Sequence, residues 1–177
     1  MEKVAKGYVI EDSEVKILFT NRTVDAKNTT DVKNLCEEYN FNYTNLMYNT
    51  QVHGAAVRII KTMDDKENNG EEADGLVTSL KNTPLLIFTA DCVPLAFYDK
   101  EKEVVALAHA GWRGTYDNIA KGIVEILIKD YKCMKENIKV IIGPSVSGDN
   151  YEVSYELVEK FSVHNIDNYY KKCGEKY

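Results

Sequence analysis

Between residues 46 and 108 six short apolar runs follow one another with no helical pattern between them. They lie at 46–49, 56–61, 75–78, 85–89, 95–98 and 104–108 and are rich in Val, Ile, Leu, Phe and Tyr, as strands are. A doubly wound parallel sheet needs a crossover helix between successive strands. This order therefore predicts an α+β fold with mixed or antiparallel sheets and helices outside them. Runs at 7–10, 15–20 and 139–142 add strands, DKEKE at 99–103 reads as a tight hairpin, and DDKENNGEE at 64–72 reads as a solvated loop.

Three helices are predicted. One covers 31–39, with Thr30 as cap and Val32 and Leu35 as apolar positions. One covers 115–132, where Ile119, Ile123, Ile126 and Leu127 recur on one face. One covers 154–162, with Ser154 as cap and Leu157, Val158 and Phe161 on one side.

The 177 residues, with no repeat or linker, fit one domain over 1–177. A net charge of −6 and a pI near 5.2 provide no basic field for a phosphate backbone, so nucleic acid is not expected as a partner. No apolar run approaches the roughly 20 residues of a membrane span, and the N-terminus lacks the apolar stretch of a signal peptide. A cytoplasmic protein is expected, as a monomer or weak homo-oligomer. Cys36, Cys92, Cys133 and Cys173 are widely spaced and should be free thiols in a reducing compartment.

Chemistry concentrates at two of the three histidines. His53 in TQVHGA and His109 in AHAGWRGT stand at strand ends beside glycine, which suits close approach of a ligand. His164 has no such context. Cys92 follows an apolar run and precedes a proline, and if the flanking strands pair it can converge with His109. One thiolate and two imidazoles are ligands that zinc accepts, leaving a fourth tetrahedral position open. Taken singly, each of the three reads more readily as a buried or hydrogen-bonded structural residue than as a ligand, and Cys92 with His109 also fits a cysteine hydrolase. Asp91 could orient an imidazole or be an exposed turn carboxylate, Arg113 could receive an anion or a base oxygen or form a surface salt bridge, and Trp112 reads more readily as core packing than as a flat face for a ring.

TQVHG at 50–54, ADGLVTS at 73–79, FTADCVPLAFYD at 88–99, HAGWRGT at 109–115 and IGPSVSGDNYEV at 142–153 occur in the order and spacing of a known family. The chain resembles the YfiH/YlmD family, long labelled multicopper polyphenol oxidoreductase or laccase-domain proteins and related to a mammalian laccase-domain purine enzyme. FTNR at 19–22 matches more loosely.

The resemblance implies two mixed sheets face to face in an α/β/β/α sandwich and a zinc site at His53, Cys92 and His109, with copper as an alternative ion. It implies phosphorolysis of adenosine, inosine, guanosine and methylthioadenosine, with adenosine deamination, and Arg22 and Arg113 as candidate anion contacts. The laccase label implies copper-dependent phenol oxidation, yet three histidines cannot supply several copper centres. A non-catalytic nucleoside- or metal-binding member is the third alternative. The chain departs from the family pattern at Ser145 and Asn150, where cysteines are usual, and at 31–35, where an Asn-Arg pair is missing. The family usually continues through another strand–helix portion, so an uncovered apolar sheet edge is expected here.

Overall fold

The computed structural model describes residues 1–164, 169–172, 174 and 176, so Cys173 lies outside the described residues. The chain opens with an antiparallel meander of β1 (Glu2–Val4), β2 (Gly7–Asp12) and β3 (Val15–Thr20). A Cβ at Gly7, whose φ is +147°, would overlap the Phe19 carbonyl, so glycine is required there. After α1 (Thr29–Glu38), β4 (Met47–Tyr48) pairs in parallel with β7 (Leu85–Leu86). A five-stranded sheet takes β5 (Val57–Ile60), β6 (Gly75–Thr78), β8 (Val93–Asp99), β9 (Val104–Ala110) and β10 (Lys139–Ile142) in the order β10-β8-β9-β6-β5.

That large sheet is mixed: β5 and β6 run parallel, and every other pairing is antiparallel. The fold is thus the expected mixture of helices with several sheets. The second expected mixed sheet is instead divided into the antiparallel meander and the parallel β4–β7 pair.

All four residues of β6 are buried, because both faces of this strand are covered. Val77 points to one side, where it joins Leu95, Phe97, Ala106 and the Ile119, Ile123 and Leu127 stripe of α3 (Ile119–Lys129). Leu76 points to the other, against Met47 and Ile60, with Leu85 beside them. Beyond that layer Leu46 and Leu86 pack on Val32 and Cys36 of α1. From one side to the other the layers are α3, the five-stranded sheet, the β4–β7 pair and α1. At the sheet's edge, β10 leaves Val140 and Ile142 exposed.

Local chemistry moves several boundaries. Asn28, not Thr30, caps α1, its side chain accepting from the Thr30 and Asp31 N–H groups. The single helix expected over 115–132 is two: α2 (Trp112–Tyr116), then α3, separated by Asn118 in the left-handed conformation with φ +61°. Asn tolerates that region better than most residues. A final helix, α4 (Tyr155–Phe161), begins after Ser154, whose side chain makes no cap bond. Segment 64–72 is exposed for the most part but not free: 3-10 turns occupy Met63–Asn68, with Thr62 and Asp65 forming a capping box. Arg58 also donates to the Asp65 carbonyl. The β8–β9 hairpin forms as expected, with Asp99 accepting from the Glu101 and Lys102 N–H groups.

Candidate metal centre

The β8–β9 register places Pro94 opposite His109 and Val93 opposite Ala110, so Cys92, just before β8, meets the end of β9. His53 arrives from the loop between β4 and β5. The ligand atoms of His53, Cys92 and His109 all lie within 4.8 Å of one another. Their burial is graded: His109 is buried, Cys92 half-buried and His53 exposed. The two imidazoles meet edge to face, with centroids 4.7 Å apart.

A tetrahedral ion with bonds of about 2.0–2.3 Å sets its ligands roughly 3.5 Å apart, so modest side-chain adjustment would suffice to enclose one. The donor set, one sulfur and two imidazole nitrogens, suits zinc and also copper.

Asp74 organises this centre. It is fully buried immediately before β6, and its carbonyl accepts the His109 backbone N–H at 2.8 Å. Its carboxylate Oδ1 lies 2.7 Å from His109 Nδ1 and accepts the His53 N–H at 3.0 Å. Oδ2 accepts from Val52 N–H at 3.1 Å and Gly54 N–H at 2.7 Å. The expectation for Asp91 is corrected here: Asp91 is exposed, and Asp74 is the carboxylate that meets His109. Asp74 is followed by Gly75 at the head of a buried strand, and this was the available signal.

Two glycines shape the opposite wall. A Cβ at Gly111 would sit 3.1 Å from His53 Cδ2 and 3.2 Å from Cys92 Sγ, and one at Gly114 would sit 2.5 Å from the Gly54 carbonyl oxygen. Gly114 thereby lets α2 close on the His53 loop. Gln51 ties that loop to the Cys92 segment, donating to the Phe88 carbonyl at 2.7 Å and accepting its N–H at 2.6 Å.

Burial, with the charges of Asp91 and Asp74, pushes the Cys92 thiol above its ordinary value. An activated cysteine nucleophile needs the reverse shift. Burial first, and then the Cys92 charge, raises the Tyr151 phenol. Arg113 is exposed on α2 with its guanidinium 5.0 Å from the Trp112 ring centroid, and Arg22 is exposed beyond β3. His164 stands apart from the centre, packed edge-on to Tyr116 at 5.3 Å.

Residues 20–176 match the family model described as multi-copper polyphenol oxidoreductase laccase. The chain belongs to that family. Adenosine deaminase RL5, from an unknown prokaryotic organism, is 34% identical over 146 residues, which are 79% of this chain and 53% of the relative. A purine nucleoside phosphorylase of Clostridium acetobutylicum is 36% identical over 134 residues, 74% of this chain and 55% of the relative. The chain therefore spans about half the length of the curated relatives it matches.

Among solved structures, Bacillus licheniformis hypothetical protein YfiH superposes with a TM-score of 0.77 at 24% identity, over 84% of this chain and 60% of that one. YlmD from Geobacillus stearothermophilus gives 0.70 at 31% identity, over 77% and 54%. The fold is that of YfiH. No helix among the described residues is long and apolar enough to cross a membrane.

Proposed function

We propose that this chain is a zinc-dependent purine nucleoside phosphorylase with adenosine deaminase activity, built on one laccase-type domain over residues 1–177. The observation that carries the reading is the approach of His53, Cys92 and His109 within 4.8 Å, in a chain whose relatives bear those two activities as names.

When bound, a divalent zinc ion at these residues supplies a Lewis acid and an electrostatic anchor beside the substrate. In phosphorolysis a phosphate oxygen bonds to the anomeric carbon while the glycosidic C–N bond breaks, its electron pair leaving with the purine. In deamination water adds at C6 of adenine and ammonia departs. Asp74 orients His109, the Gly111 wall keeps the space between the ligands open, and Arg113 and Arg22 are assigned to anionic substrate groups.

Copper-dependent phenol oxidation is the alternative that the family description favours. With three histidines in the chain and His164 packed on Tyr116, a multi-copper array lacks ligands, and a single copper at the same trio is what this reading retains. The proposal extends to a cytoplasmic protein, monomeric or weakly self-associating, with purine nucleosides and phosphate as partners and no nucleic acid.

The test loads purified protein with Zn2+, adds inosine or adenosine with phosphate, and follows base and ribose 1-phosphate by chromatography. Product that disappears in Cys92→Ala is expected. Absence of product from the wild type, or equal product from the variant, overturns the assignment, and phenol oxidation that tracks copper content would favour the alternative.

A further inference from the structure

We propose that Asp74 is a positioning residue that prepares both histidines for the ion, fixing the tautomer of His109 and the backbone turn that presents His53. The proposal deepens the metal-centre reading and rests on it.

Asp74 is fully buried, and no Lys or Arg among the described residues pairs with it. A buried carboxylate without a counter-cation is unfavourable unless hydrogen bonds satisfy its oxygens. All four donors that satisfy this one belong to the candidate centre: the N–H groups of Val52, His53 and Gly54, and Nδ1 of His109.

The chemistry of each contact is directional. An ionised carboxylate only accepts, so His109 must carry its proton on Nδ1. A neutral imidazole then keeps a free lone pair on Nε2, the form in which histidine binds a metal. His53 has φ +61°, a left-handed conformation uncommon outside glycine. With residue 53 in that turn, three successive N–H groups converge on one carboxylate, as in an anion nest. One side chain thus holds two ligands 56 positions apart in the chain.

Asparagine is the discriminating substitution, because it keeps the shape and exchanges one acceptor oxygen for a donor NH2. With the NH2 in the Oδ1 position, it faces the His53 N–H and forces the His109 proton onto Nε2, removing the ligand lone pair. With the NH2 in the Oδ2 position, it faces the Val52 and Gly54 N–H groups. Either orientation sets donor against donor.

The experiment measures Zn2+ affinity of wild type and Asp74→Asn by chelator competition, together with the thiolate-to-metal charge-transfer band of the Co2+ form. A loss of about 10–100-fold in affinity and a weakened band are expected. Wild-type affinity in folded Asp74→Asn overturns the proposal, since a carboxylate with a merely structural role would lower thermal stability and leave affinity unchanged. A second measurement needs no variant: long-range 1H–15N correlations of the metal-free wild type should show His109 protonated on Nδ1, and an Nε2–H tautomer overturns the proposal. A wild type that binds neither ion overturns the metal centre itself, and the tautomer readout distinguishes that failure from failure of the Asp74 assignment.

Discussion

A methyl group at residue 111 would lie 3.1, 3.2 and 3.8 Å from atoms of His53, Cys92 and His109, so the absence of a side chain there is part of the site. Gly111 has φ −72°, which alanine adopts without strain. Gly111→Ala is therefore expected to fold, to retain its unfolding temperature within a few degrees, and to bind Zn2+ about tenfold or more weakly by chelator competition. Unchanged affinity would place the ion elsewhere. Gly114→Ala acts differently, because its Cβ meets the Gly54 backbone, which cannot rotate away. About 1–3 kcal/mol of destabilisation in urea unfolding is expected, as for an overpacked core position. Gly111 and Gly114 both lie in the HAGWRGT segment that begins at His109. What they make room for was not readable, because it depends on a loop some 60 positions away.

The helices show how periodicity and capping divide the information. Apolar spacing located the face of α3 correctly, and Ile119, Ile123 and Leu127 are buried as the pattern implied. It missed the break at Asn118, because the apolar stripe carries no mark of the turn that aims α2 at Gly54. At α1 the cap is Asn28, two positions before the expected Thr30, because the Asn28 side chain bonds two N–H groups. Asn28→Ala should cost about 1 kcal/mol, seen as a fall of roughly 2–4 °C in thermal unfolding for a chain of this size. Thr30→Ala, inside the helix, should change the midpoint by much less.

The meander is joined to the large sheet through Asp12, which accepts from Tyr98 Oη at 2.8 Å, Lys139 Nζ at 2.8 Å and Lys100 Nζ at 2.9 Å. These donors, Lys139 first, hold the Asp12 carboxyl far below the usual carboxylate range. Since the folded-state value is depressed, the network stabilises the protein above the unfolded value of about 4. The contribution is lost as pH falls through the acid range. Urea unfolding at a series of pH values should show wild type more stable than Asp12→Asn near pH 7, with the gap closing progressively below about pH 4. A gap independent of pH would assign the effect to packing. None of these partners was legible beforehand, because residue 12 meets residues 86 to 127 positions distant.

Short-range patterns were sufficient for the strand-rich centre, the β8–β9 hairpin, the apolar face of α3 and the settings of His53 and His109 near glycines and of Cys92 between an apolar run and a proline, since each depends on residue types a few positions apart. The choice of carboxylate required the folded chain. Asp91 adjoins Cys92 in sequence, yet Asp74 reaches His109 because the antiparallel register of β6 and β9, with Gly75 opposite Ala108, carries it there. Strand pairing is a long-range contact chosen by burial of two faces at once. No local spacing encodes which buried oxygen will face a given nitrogen.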